Sequence, residues 1–324
     1  MSDGALQVLD GTHLRAVDLS LPDAPLTGAR ILHIANSRAS TSLSGLSLPD
    51  SLTSSSLTRL RIPDLHAFRS AEYSPNKASD ILRDYISAIA DELKDNPIVV
   101  SILDGSTLRL LLEDEDDFAM LAENLFTDLD VEDKGKISKS EIRNALVQMG
   151  AEMGVPPFSE FPQLDDLLKK YGADGKEELG QAQFAQLLQS VLQELEVELS
   201  KKNVVFIHNI QIINGSKLRQ LVANEQELNS IVEKASQEKS NANGLGSTEI
   251  IRRFLEKNAK ELGLPVAEAD EAAVLLYDSV FADLAKEKDG MELDKEELAK
   301  LLKDILEKFA EQLESSPVYQ EQMN

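Results

Sequence analysis

One eight-residue phrase occurs three times in this chain, and the repetition divides it into modules that must fold alike. Residues 8–15 read VLDGTHLR, residues 102–109 ILDGSTLR and residues 212–219 IINGSKLR. An amphipathic helix stands at the far end of each copy, over 81–93 before DNPIV, 184–199 before KKNVV and 298–313 before SSPVY. Each phrase opens a module and each helix closes one, so the modules occupy 1–98, 99–203 and 204–324. Asp-Gly-Ser or Asn-Gly-Ser after an apolar, β-prone run predicts a turn into a helix, with the serine hydroxyl accepting from an orphan backbone amide.

The second module carries the stretch DVEDKGKISKSE at 130–141, which has the form of a calcium-binding EF-hand loop. Such a loop needs an acid first, a glycine sixth for the sharp turn and a bidentate glutamate twelfth. Asp130, Gly135 and Glu141 fill those places. Lys136 is seventh, where the ligand is a backbone carbonyl; Ile137 is the aliphatic eighth residue that pairs with a partner loop, and Ser138 supplies the ninth-position oxygen. Glu132 occupies the third position in place of the shorter Asp or Asn. The fifth is Lys134, whose ammonium has three donors and no acceptor and so coordinates no cation. The candidate metal ligands are therefore Asp130, Glu132, Lys136, Ser138 and Glu141, for a weak Ca²⁺ site.

Helical periodicity extends the pattern to four helix–loop–helix hands. Ala122, Leu125, Phe126 and Leu129 lead into the first loop, and Ile142, Ala145, Leu146 and Met149 lead out. Leu164, Leu167, Leu168 and Tyr171 precede a loop at 172–183, and Phe184, Leu187, Leu188 and Val191 follow it. There Gly172, Glu177 and Gln183 stand at the first, sixth and twelfth positions, so the ligands are gone. In the third module Tyr277, Val280, Phe281 and Leu284 enter a loop at 285–297 that is one residue too long, although Glu287, Asp289, Asp294 and Glu297 remain around it. Its partner is the stretch after Leu228, Ile231, Val232 and Ala235, ending at Glu249 with few carboxylates. A lone helix–loop–helix cannot bury its apolar face, so the hands should pair, Ile137 facing Leu179 and Leu245 facing Leu293.

The first module reads differently. Residues 36–58 hold nine serines without helical periodicity, which predicts a flexible segment in a partly disordered remnant module, linker being preferred to a phosphorylation site around Arg38, Ser40, Thr41 and Ser42. The fold expected is thus all-α, with two paired EF-hand lobes behind that remnant.

Charge and composition narrow the function. With 57 acidic against 33 basic residues the net charge is −24, which disfavours nucleic acid and anionic membranes as partners and suits cations or basic protein segments. Zero cysteines exclude disulfides and thiolate chemistry and fit a cytoplasmic or nuclear location. No apolar run reaches the roughly 18 residues of a membrane span, and the start MSDGALQVLD has neither signal-peptide character nor the glycine of a myristoylation signal. Asp128 and Asp130 imitate a paired-aspartate phosphatase motif, but on helical spacing instead of at a strand end. His13, His33, His66 and His208 lack zinc spacing, and no phosphate-cradling loop occurs, so an enzyme is not expected.

The words ILDGSTLRLLLEDEDDF at 102–118 and LDVEDKGKISKSE at 129–141, with the SSPVYQ ending at 315–320, resemble a family of plant EF-hand proteins. The likeness covers about two modules and includes residues outside the calcium loop. It implies a calcium sensor, and one branch of the family binds and restrains stress-activated Ser/Thr kinases of the sucrose-non-fermenting-related type. Asp130, Ser138 and Glu141 match that family's ligands, Glu132 matches in charge, and Lys134 departs from it. The expected function is a weak calcium sensor that regulates partner proteins, the alternative being a calcium-independent scaffold with purely structural loops.

Overall fold

The computed structural model describes residues 6–241, 247–267, 271–288 and 294–321. The first module runs β1 (Gln7–Leu9), a 3₁₀ turn at Thr12–Ala16, β2 (Leu26–Thr27), α1 (Gly28–Ser42), α2 (Asp50–Arg59), α3 (Leu65–Ser70), β3 (Glu72–Tyr73) and α4 (Pro75–Asp95). The second runs β4 (Ile98–Leu103), α5 (Ser106–Glu113), α6 (Glu115–Leu129), β5 (Ile137–Ser138), α7 (Ile142–Met149), α8 (Gln163–Lys170), β6 (Glu178–Leu179) and α9 (Gln181–Lys201). The third contains β7 (Val204–Ile213), α10 (Ser216–Ala223), α11 (Glu225–Asn241), α12 (Ser247–Lys257), α13 (Ala259–Leu262), α14 (Glu271–Lys288), α15 (Lys295–Ser315) and β8 (Val318–Glu321). Two compact units result, one of the described residues up to Glu92 with Val99–His208, the other of Leu93–Ile98 with the described residues from Asn209 onward. Among the described residues no helix is long and apolar enough to cross a membrane.

The all-α expectation is corrected: the chain is mostly helical, but β1, β4, β7 and β8 form a four-stranded sheet in that order. Each module-opening phrase begins with apolar, often β-branched residues, and those runs are the strands. β1, β4 and β7 come together from three different modules, which no single window of sequence displays. The SSPVYQ ending contributes β8, antiparallel to β7 with Val318 opposite Ile213 and Glu321 opposite Ile210.

Each strand turns into its module through the Asx-Gly step. Asp10 Oδ1 accepts from the Thr12 amide at 2.9 Å, Asp104 Oδ1 from Ser106 at 2.9 Å and Asn214 Oδ1 from Ser216 at 3.1 Å. The expected serine cap is thereby corrected. The Asx side chain takes the amide, and the Ser106 hydroxyl itself donates to Asp104 at 2.6 Å. The glycine that follows has φ of +79°, +85° and +79° at Gly11, Gly105 and Gly215. A Cβ there would lie 2.3 Å from the carbonyl oxygen of Ala90, 2.6 Å from that of Glu196 and 2.6 Å from that of Ala310, each on the module's own closing helix.

In the second module the predicted apolar positions are the core: Ala122, Leu125, Phe126, Ile142, Ala145, Leu146, Met149, Leu164, Leu167, Leu168, Phe184, Leu188 and Val191 are all buried. The β5–β6 bridge is antiparallel and sets Ile137 opposite Leu179, as the loop spacing requires. In this unit α6 packs on α9, and Phe126 meets Phe184 with ring centroids 5.7 Å apart. The third module repeats the plan with α11 on α15, α12 on α14 and α10 on α15. Its expected Leu245 to Leu293 pairing lies outside the described residues. Tyr277 and Phe281 pack edge-on to Phe309, and the buried Tyr277 hydroxyl has no hydrogen-bond partner among the described residues.

The serine-rich stretch, expected to be flexible, is helical in α1 and α2. Ile31, Leu32, Ala35 and Ala39 give α1 a buried face, while Leu43, Leu46, Leu52 and Ser56 are buried after it. Hydroxyls are absorbed by backbone acceptors four residues back: Thr41 donates to Ser37 at 3.0 Å and Ser56 to Leu52 at 2.7 Å. Arg38 donates to the Asp18 and Ser20 carbonyls at 2.7 and 2.5 Å. What this module lacks is elsewhere. Its β2–β3 bridge, Leu26 opposite Tyr73, stands before α1 and α4 as β5–β6 stands before α7 and α9. Residues 17–25, where a counterpart of α6 belongs, contain no helix.

Two stability predictions follow from these contacts. Gly105→Ala adds both a left-handed strain and a clash with helix backbone, and should cost about 2–5 kcal/mol. Gly135→Ala, at φ +70° with nothing within 4 Å of a Cβ, should cost only about 1 kcal/mol; urea unfolding of both variants measures the contrast. Tyr277→Phe removes an unpaired buried hydroxyl and should raise stability by about 1 kcal/mol in the same assay.

Candidate cation loop

The loop between α6 and α7 is shaped by Asp130, which ends α6 and whose amide still bonds to the Phe126 carbonyl at 2.9 Å. Its carboxylate points back across the turn, Oδ1 accepting from the Lys134 amide at 3.0 Å and Oδ2 from the Gly135 amide at 2.6 Å. Asp133, at φ +49°, and Gly135, at φ +70°, take the left-handed conformations that close the turn. The carboxylate of the first loop position thus gathers the amides of the fifth and sixth.

The remaining candidates are engaged locally. Glu132 forms an exposed ion pair with Lys134. Lys136 is exposed. Ser138 Oγ contacts Ser140 Oγ at 2.8 Å and accepts from the Ser140 amide at 3.4 Å, capping the short 3₁₀ turn into α7. Glu141 Oε2 accepts from the Asn144 amide group at 2.6 Å. The sequence-predicted set therefore surrounds one loop without converging, and no group of three or more His, Asp or Glu side chains that could hold a metal ion occurs among the described residues. Calcium takes six to eight oxygens. These residues fit it only if Lys134 leaves Glu132 and Glu141 turns from Asn144; Asp130, Glu132, the Lys136 carbonyl, Ser138 and Glu141 would then be the donors.

The paired loop at 172–183 is built as a structural connection. Gln183, at the position of a bidentate glutamate, instead accepts from the Gly180 amide at 3.2 Å at the start of α9. Glu297 in the third module takes part in a full capping box. It accepts from the Asp294 amide at 3.1 Å while Asp294 accepts from Glu297 at 2.8 Å, capping α15. Asp289 lies outside the described residues, as do the side chain of Glu287 and residues 242–246 of the stretch that ends at Glu249.

One pairing was not visible in the sequence. Ser101 on β4 and His208 on β7 are 107 positions apart, and Ser101 Oγ lies 2.7 Å from His208 Nε2. This is nucleophile-to-base distance, but Ser101 is 2 % exposed and so is closed to a substrate. The contact is a strand-to-strand bond. Burial lowers the His208 pKa from its ordinary value, opposed by the charge of Glu152.

No protein-family model, curated protein or solved structure matches this chain.

A depressed histidine pKa means that the unfolded chain takes up a proton first as pH falls. The His208 contribution should therefore be constant above about pH 6.5 and decline below it, through the lowered folded-state pKa. Unfolding midpoints at about pH 7.5 and pH 5.5 should show a larger acid loss for the native chain than for His208→Gln.

Proposed function

We propose that this chain is an EF-hand-type regulatory protein that binds partner proteins, with calcium as a weak modulator. The observation that carries the reading is the antiparallel bridge of Ile137 with Leu179. Both stand eighth in their twelve-residue loops, and the residues at helical spacing on either side are buried, Leu129, Tyr171 and Leu187 partly so, as paired hands require. The turn of two backbone amides onto Asp130, with glycine sixth, supports the same assignment.

A partner segment suited to this chain is a basic amphipathic helix, because the net charge of −24 repels acidic ones and helical grooves take helices by their apolar face. The family resemblance makes a stress-activated Ser/Thr kinase the first partner to assay. Calcium binding is weakened by Lys134. An ammonium about 6 Å from a divalent ion is repelled by about 5 kcal/mol at an effective dielectric near 20. A flexible, exposed lysine relieves most of this by swinging into water, leaving a net cost of about 1–3 kcal/mol once its pair with Glu132 is broken. Sensor loops of about 10⁻⁷–10⁻⁵ M then become one of about 10⁻⁵–10⁻³ M.

The scaffold reading is favoured by one observation, that Asp130, Glu132 and Glu141 each already have a donor within or beside the loop. A calorimetric calcium titration separates the two. Lys134→Asp with Glu132→Asp should tighten binding about ten- to a hundredfold, and Glu141→Gln should abolish the gain. Absence of any heat up to millimolar calcium in both the native chain and the double variant would leave the scaffold.

A further inference from the structure

Each complete hand pair is covered by a short helix from the start of its own module. In the second module α5 packs on α6 and α9, the helices that enter the first hand and leave the second. In the third, α10 packs on the equivalent α11 and α15, and on α13 in the connection between the hands. Both place apolar residues at i, i+3 and i+4: Leu108, Leu111 and Leu112 in α5, Leu218, Leu221 and Val222 in α10. All six lie in the core of their hand pair or against it. That is the spacing by which an amphipathic helix enters an apolar groove. The seat is also the same in both modules. A Cβ on Gly154, at φ +85°, would lie 3.1 Å from Thr107 Cβ, and one on Gly263, at φ +77°, 2.6 Å from Lys217 Cδ. Each glycine belongs to the connection between two hands, and Thr107 and Lys217 hold the same place in the repeated phrase.

The covering helix accompanies a complete hand pair. The first module keeps the phrase and buries its Leu14, but it has no counterpart of α6, and there the phrase runs into the 3₁₀ turn at Thr12–Ala16 instead of a helix. Helix α10, SKLRQLVA, has in addition two bases and no acid. Its Arg219 forks onto Glu314 of α15 at 2.8 and 3.0 Å. It thus has the chemistry of the partner segment inferred above, a basic amphipathic helix, and it sits on an acidic chain as such a partner would.

We propose that α5 and α10 are internal ligands of the two hand pairs, covering the apolar faces that a basic amphipathic partner helix would take, so that a partner binds only by displacing them. This rests on the partner-binding reading above and adds its regulation. A face that is open in a small fraction of molecules binds with an affinity lowered by that fraction, and a tethered helix competes at an effective concentration on the order of millimolar. Fluorescence anisotropy of the full chain with a labelled synthetic helix of leucine and lysine is the assay. Leu111→Ser with Leu112→Ser, at half-buried positions of α5, should bind the peptide at least about tenfold more tightly than the native chain. Leu110→Ser, at an exposed position of the same helix, should bind as the native chain does. Circular dichroism melts check that both variants are folded. Hydrogen exchange on the native chain needs no variant: saturating peptide should strip protection from the amides of α5 or α10 while those of α6, α9, α11 and α15 keep theirs. Binding by the native chain with α5 and α10 still protected, or equal binding by the native chain and the double variant, overturns the proposal and leaves partner binding standing. If no form of the chain binds the peptide up to about 1 mM, both readings fall.

Discussion

The structure depends on the contact between an Asx-Gly turn and the helix that closes the same module. The three closing helices, α4, α9 and α15, each have 21 residues. Ala90, Glu196 and Ala310, whose carbonyls face the three turn glycines, are each the sixteenth residue of their helix. A hydrogen fits where a methyl does not, so the strand end and the helix backbone approach more closely than any side-chain packing allows. This fixes where the opening strand leaves the module relative to its closing helix, and it does so at the same helix position in every repeat. The Asx side chain then satisfies the amide that the turn leaves unpaired, which removes the polar cost of bringing the backbone so near.

Hung on that contact, the helices behave as amphipathic elements that need one another. The long closing helix supplies one continuous apolar face, from Phe184 to Leu199 in α9 and from Leu298 to Leu313 in α15. In the second and third modules the first entering helix lies against it, α6 on α9 and α11 on α15. The loops are therefore not what holds these modules together. Gln183 and Glu297, the last residues of their loops, each accept from the backbone amide three residues back at the start of the helix that follows.

The helices and their buried faces were legible because their signal is local: a stripe such as Ala122, Leu125 and Phe126 repeats within a few residues. The Ile137 to Leu179 register was legible for a related reason, since each loop fixes its own eighth position. The sheet was not, because β4 and β7 are separated by a whole module and each strand looks like a short apolar run by itself. The helix over the serine-rich stretch was hidden by composition. Serine and threonine hydroxyls that bond to the preceding turn cease to be polar at the surface, and Ala35 and Ala39 carry a buried face too small for a periodicity test to register. The candidate loop was legible in its residue types and not in its geometry, for nothing in a spacing rule says that Glu141 will face Asn144 or that Glu132 will face Lys134.

That last difference bears on what a divergent loop can still do. A loop with clustered carboxylates has to hold its shape against their mutual repulsion. In this one, the two amides on Asp130 and the ammonium of Lys134 beside Glu132 offset that repulsion from inside the loop. An internal cation is weaker than a divalent ion, because an exposed pair contributes only up to about 1 kcal/mol. It is also always present. A loop so arranged holds the β5–β6 bridge, with Ile137 opposite Leu179, by contacts within the chain itself.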